Sequence, residues 1–304
     1  MAISRTQLVK ELEPGLNALF GLEYKRYENQ HAEIYTTESS DRAFEEEVML
    51  SGFANAQVKA EGQGISFDDA QETYTARYTH DTIALAFAIT EEAIEDNLYD
   101  RIASRYTKAL ARSMSNAKQV KAAAPLNNGL SSVATFKAGD TVSLFSTNHT
   151  TVSGTAVKNT LTTQADLNET SLEQGLIDIA GMTDERGLRV AARGMKMIIP
   201  SANQFAAERL LKSQGRTGTA DNDINAVVSM GMVPQGYRVN NFLTDTDSWY
   251  IITDVPNGMK MFQRAALKTA MEGDFDTGNV RYKARERYSF GVSDYRGIFG
   301  VEGA

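Results

Sequence analysis

The 304 residues contain no cysteine. That excludes a disulfide framework, thiolate catalysis and cysteine-rich zinc sites, and it fits a reducing compartment or a particle assembled in one. Histidine is nearly as scarce. His31, His80 and His149 stand far apart, no two at ligand spacing, so neither a zinc site nor a two-histidine, one-carboxylate centre is expected. No apolar run approaches the ~18 residues a membrane helix needs, and the N-terminus lacks a signal peptide's apolar core. Gly215-Arg216-Thr217-Gly218-Thr219 has neither the lysine nor the preceding strand of a phosphate cradle, and no G-x-S-x-G elbow occurs. The carboxylate pairs Asp68/Asp69 and Glu91/Glu92 lie on a polar ribbon and at a helix start, where solvation and the helix dipole explain them. The expectation is no catalytic residue, no cofactor site and no metal site. The net charge of −8 opposes general nucleic-acid binding, because phosphate contacts require clustered Lys and Arg. It leaves room for a protein that encloses nucleic acid without gripping it.

What the chain does have is a soluble protein's share of apolar and charged residues, 42% and 23%, and enough length for about two domains. Its organising stretch runs from Tyr74 to Ala124. Ile83, Leu85, Phe87 and Ile89 alternate with Ala84, Ala86 and Ala88, a period of two that reads as a strand covered on both faces. Thr90 follows as a helix cap, with Glu91 and Glu92 on the positive end and Ile89 and Ile94 as a staple. An apolar seam through Tyr99, Ala103, Tyr106, Leu110, Ala117, Val120 and Ala124 predicts one helix over about 90–124, roughly 50 Å of it, ended at Pro125. Such a rod is a spine.

Around the spine the sequence reads as follows. Residues 1–45 are polar, with a thin stripe of Leu8, Leu12, Leu16, Leu19 and Phe20 interrupted at Pro14. Two readings are open, a frayed terminus and, the favoured one, an arm that lies along another surface and docks on neighbouring molecules. A short helix is expected from Asp41, and then a long hairpin from Val48 to Thr82 whose tip holds Glu61-Gly62-Gln63-Gly64. An isolated polar ribbon of that length is marginal in water, so it needs a partner surface. Short strands are expected at Val133–Phe136 and Thr141–Phe145. Ser171–Met182 reads as a helix and Met195–Ile199 as a strand, with Ser201 and Gln204 forming a capping box for a helix to Lys212. A loop over Gly215–Asp223, the segment Ile224–Met230 and a strand over Tyr237–Phe242 complete an α+β domain over about 126–245. Trp249–Thr253, Met259–Phe262 and Asn279–Val292 read as strands returning to the spine.

One charge pattern stands out. Arg281, Lys283, Arg285 and Arg287 line one face of the last strand, opposite Val280, Tyr282, Ala284, Tyr288, Phe290 and Val292. Three readings are open: a solvated face, a partner for acidic groups such as Asp68 and Asp69 on a neighbouring molecule, or a nucleic-acid contact, for which four cations are few.

A polar arm, an extended hairpin, a strand into a spine helix, an interposed α+β domain and a returning strand resemble, in order and spacing, the major capsid protein of tailed bacteriophages. The most telling pieces are Tyr78–Asp100, Met197–Ser213, Asn222–Val228, Ser248–Thr253 and Phe290–Gly300. The resemblance implies the α+β HK97-like fold. It assigns 1–45 to the N-terminal arm, 46–80 to the extended loop, 81–125 and 246–304 to the peripheral domain, and 126–245 to the axial domain. It implies a non-enzymatic structural subunit whose pentamers and hexamers build an icosahedral head around double-stranded DNA. That head would be a virion component assembled in the host cytoplasm, with scaffolding, portal and decoration proteins as further partners. Only a short arm precedes the loop, so a fused scaffold is expected to be absent or already cleaved. Some relatives cross-link a lysine to an asparagine; Lys59 lies on the loop, but no motif identifies its partners, and a surface lysine is the plainer reading. Lys59, Asp68, Asp69, Arg281, Lys283, Arg285 and Arg287 are the expected inter-subunit residues. An encapsulin-type compartment holding a cargo protein is the alternative within the fold, and a soluble enzyme with an unfamiliar site is the alternative outside it.

Overall fold

The computed structural model describes residues 5–90, 92–93, 99–130, 136–216, 223–274 and 278–304. Helix α1 (Arg5–Arg26) runs through Pro14 without ending. Its Leu16 and Phe20 are buried in one cluster with Ala103, Leu110, Ala111 and Met114 of the spine and with Tyr282. The segment expected to dock on neighbours thus begins as a helix laid along its own spine. Tyr24, one turn further on, packs against the same cluster.

After a 3-10 turn (Gln30–Glu33), β1 (Thr36–Ser39) enters a sheet. The helix expected from Asp41 does not form. Phe44–Leu50 is strand β2, antiparallel to β3 (Glu72–Thr79). Extended backbone suits Phe44–Glu47 because alternate side chains find separate partners. The Arg77 guanidinium stacks 4.0 Å from the Phe44 ring centroid, while Glu47 reaches inward to Lys260. Strand β4 (Asp81–Ile89) follows directly.

The spine is helix α2 (Tyr99–Asn127), 29 residues and roughly 43 Å long. Upstream, the Thr90 hydroxyl accepts the Ala93 N–H at 3.4 Å, as the expected cap should; Glu91 and Ile94 lie outside the described residues. The helix passes Pro125 and ends at Asn127, since a proline in the last turn forfeits only the bond of its missing N–H. The downstream segment contains a two-strand pair, β5 (His149–Thr150) and β6 (Ala156–Val157). It also holds helix α3 (Glu169–Ala180), strand β7 (Gly194–Ile199), helices α4 (Gln204–Lys212) and α5 (Ala226–Ser229), and strand β8 (Tyr237–Val239). Asn168 caps α3 in a reciprocal box with Ser171. The box expected from Ser201 and Gln204 is replaced by a 3-10 turn with no side-chain cap. Thr141–Phe145 forms only a bridge at Ser143, with Thr141 at φ 66°, and most of Val133–Phe136 lies outside the described residues.

The chain ends with β9 (Trp249–Thr253), β10 (Met259–Gly273), β11 (Val280–Val292) and β12 (Ile298–Val301). Two four-stranded sheets result, ordered β1-β10-β11-β4 and β12-β9-β7-β8. The strands flanking the middle segment do join against the spine: Tyr282 pairs with Phe87 and Ala284 with Leu85. β4 is an edge strand, however, and Ala84, Ala86 and Ala88 are exposed. The cover expected on both of its faces is present on one. Between the sheets the turn at Asn257-Gly258 meets the turn at Tyr295–Gly297, and a Cβ on Gly258 would come within 2.8 Å of the Gly297 Cα. Tyr250 and Ile198 of one sheet share a core with Tyr288 and Met259 of the other.

Inside the first sheet, Lys118 of α2 meets Glu286 of β11 at 3.1 Å, both nearly buried, and burial pushes the Glu286 carboxyl up. At the next residue of the spine, Gln119 holds His31: its amide bonds the His31 backbone N–H and ring Nδ1, both at 3.0 Å. Burial, with the Lys118 charge beside it, lowers the His31 pKa from 6.5 to about 4. The folded state therefore favours neutral His31, so this contribution is complete above pH 6.5 and is lost as pH falls towards 4. Glu286 titrates in the opposite sense, so the comparison with a His31→Gln variant isolates the histidine. Urea unfolding at pH 7 and pH 4.5 should show the wild type losing more stability over that interval than H31Q.

Candidate assembly surfaces

Strand β11 divides the first sheet into two unlike faces. Its inward residues, Tyr282, Ala284, Tyr288 and Val292, are buried beneath α1 and α2. Its outward residues first carry charge, at Arg281, Lys283, Arg285 and Arg287, and then meet the ribbon. The Tyr78 ring lies over Gly291, so closely that a Cβ there would overlap it, and Tyr74 fills the same kind of notch at Gly139. Burial and a T-shaped contact with Phe262 at 4.7 Å complete the seat of Tyr78. Beside it His80 bonds Ser289 at 3.0 Å and Ser40 at 2.9 Å. Lys260, 5% exposed, pairs with Glu38 at 3.0 Å and with Glu47. Glu47 also takes the Ser293 hydroxyl, which in turn bonds Tyr78. The base of the ribbon is keyed at two aromatic positions and tied by one buried cation.

Beyond that base the ribbon changes character. Strand pairing stops at Leu50 and Glu72, and the limbs expected on either side of the 61–64 tip do not continue as strands: residues 52–71 have no regular structure and lie exposed but for Gly52. Phe53, Val58, Ile65 and Phe67 are 61%, 100%, 66% and 90% exposed. Asp68 and Asp69 tether the return limb. Asp68 accepts the Ala54 N–H at 2.7 Å, which holds its carboxyl below the usual range, with Arg186 3.9 Å away. Arg186 also donates to the Asp69 carbonyl. Arg186 lies in the tight Asp184–Leu188 turn, and no feature of the sequence marks it.

The expected inter-subunit residues are thus not brought together within the subunit. Asp68 and Asp69 face Arg186. Lys59 is exposed on the loop and makes no ion pair among the described residues. Arg281 pairs with Asp274 across its own turn. Lys283 and Arg285 are exposed and make no hydrogen bond or ion pair among the described residues. Arg287 is half-buried, its Nε without an acceptor. Among the described residues no cluster of His, Asp or Glu could hold a metal, and no helix is long and apolar enough to cross a membrane. A Gly291→Ala variant should displace Tyr78 and cost about 1–3 kcal/mol of overpacking. Thermal melting should show the loss, and proteolysis should cut the ribbon faster.

Comparison with known proteins gives three findings. A family model described as "Phage capsid protein" matches residues 73–301. No curated protein matches the sequence. Among solved structures, the chain is similar to the capsid of Myoviridae phage XM1 (TM-score 0.55, 11% identity, 89% of each chain). It is similar also to the capsid of an empty GTA particle (TM-score 0.55, 14% identity, 91% of each chain). A virus-like particle from Pyrococcus furiosus has TM-score 0.53 and 11% identity over 95% of this chain and 98% of the other.

Proposed function

The chain belongs to the phage capsid protein family, and from that membership we propose that it is the structural subunit of an icosahedral shell of pentamers and hexamers enclosing double-stranded DNA. In this reading residues 46–80 are the extended loop, 81–125 and 246–304 the peripheral domain, and 126–245 the axial domain. The 1–45 arm is anchored first on its own spine. The shell is a virion component assembled in the host cytoplasm with scaffolding, portal and decoration proteins, and no residue has a catalytic role.

The observation that carries the reading is the exposed 52–71 segment on a fixed base. Four large apolar side chains stand in water there, and burial of each contributes about 1.5–3 kcal/mol. A second copy supplies the missing surface. Ordering the loop consumes part of that gain, and symmetry multiplies what remains. Charge directs the docking. The ribbon carries Glu45, Glu46, Glu47, Glu61, Asp68, Asp69 and Glu72 against Lys59 alone over residues 45–72, while the outward face of β11 offers Lys283 and Arg285 unpaired. The acidic ribbon of one subunit meets the cationic strand of the next. Similarity to the Pyrococcus furiosus particle supports the fold and no particular cargo, so an encapsulin-type compartment differs from this reading only in holding protein instead of DNA.

Removing residues 54–66 should leave a folded subunit, judged by circular dichroism, that forms no shells by electron microscopy. Reversing charge at Lys283→Glu with Arg285→Glu should likewise stop assembly, and lysines at Asp68 and Asp69 should restore part of it. Shells that form normally from the loop-deleted protein would sink the reading.

A further inference from the structure

We propose that the solvent face of the spine helix binds nucleic-acid phosphates. Helix α2 contains Arg101, Arg105, Lys108, Arg112, Lys118 and Lys121 and, after Asp100, no acidic residue. Folding uses two of these cations, Lys118 with Glu286 and Lys121 with Asp81. Arg105, Lys108 and Arg112 are exposed and make no hydrogen bond or ion pair among the described residues. Steps of three and four place them on one face over two turns, about 10 Å. Ser113 and Asn116, both outward, add donors along the same face.

This chemistry selects the ligand. Phosphate oxygens accept from Arg, Lys, Ser and Asn without regard to base sequence, and the face presents those donors with no carboxylate among them. An acidic protein segment would need an apolar anchor near the centre of its contact. Of the exposed apolar residues here, Tyr106 is engaged with Phe87 at 5.8 Å, and Val120 lies two turns beyond Arg112. The net charge of −8 does not forbid the contact, because screening confines each charge to about 10 Å at 0.1 M salt and the ribbon's acids lie on the other side. That sidedness follows from β11: its even residues meet α2 while Ser289 and Gly291 meet the ribbon base. The ribbon and the Arg105–Arg112 face therefore point to opposite sides of the sheet.

The test is binding of a short fluorescent DNA duplex to unassembled subunits over a range of salt concentrations. Wild type should bind at low ionic strength. The R105Q/K108Q/R112Q variant should bind at least tenfold more weakly, with the slope of log affinity against log salt flattened by about 2 to 3. K283Q/R285Q, on the opposite face, should bind as wild type does. Equal binding by the spine variant, or no duplex binding by wild type, overturns the proposal. So does unchanged duplex binding with lost capture of a poly-glutamate peptide, which would assign the face to a protein. Failure of the shell reading is separate: it would appear as subunits that never form particles yet bind duplex through the spine.

Discussion

A sheet has two faces, and in this subunit two helices pack along one of them. Along β11 every even residue from Tyr282 to Val292 turns towards α1, α2 or the shared core, so everything else the sheet does falls to the odd residues. There the register divides the work again. Ser289 and Gly291 seat the ribbon, while Arg281, Lys283, Arg285 and Arg287 remain outward. A slip of one residue would exchange the two sets and bury four cations. Glu286 is the one charge that β11 buries on its inner face, and it stands opposite Lys118 of the spine. Removing either partner leaves a buried charge uncompensated.

Much of this plan was legible in the residues. Alternation at 83–89 and 280–292, the seam of the spine, and the turn at Asn257-Gly258 each report a local period or a local turn, and each element formed. Where local cues misled, distant partners decided. Glu45, Glu46 and Glu47 have the composition of a helix start, yet they form a strand, because Lys260, more than two hundred residues away, holds Glu47. The alanines of β4 suggested a second layer, but the layer is missing from the subunit, because the strand lies at an edge. Pro14 looked like a break, yet packing against the spine carries α1 through it.

The assembly surfaces were legible in part. Charge at Lys283 and Arg285 and exposure of the loop follow from the pattern of residues. The base of the ribbon does not. Tyr74 over Gly139 and Tyr78 over Gly291 are contacts between segments far apart in sequence, and Arg186 sits in an ordinary polar turn. Such pairings depend on how two surfaces approach, which no periodicity encodes. The result is a subunit with a held root and a bare tip: contacts fix the ribbon where it leaves the sheet, and its apolar residues beyond stand exposed.

The backbone contact between Gly258 and Gly297 has a consequence for how such a chain can diverge. Two loops touch there with hydrogen on both sides and nothing between. A methyl group at either position acts as a spacer between the sheets, and no change at the other position can make room for it. The pair therefore behaves as one indivisible letter of the sequence, held by a distance rather than by a chemistry.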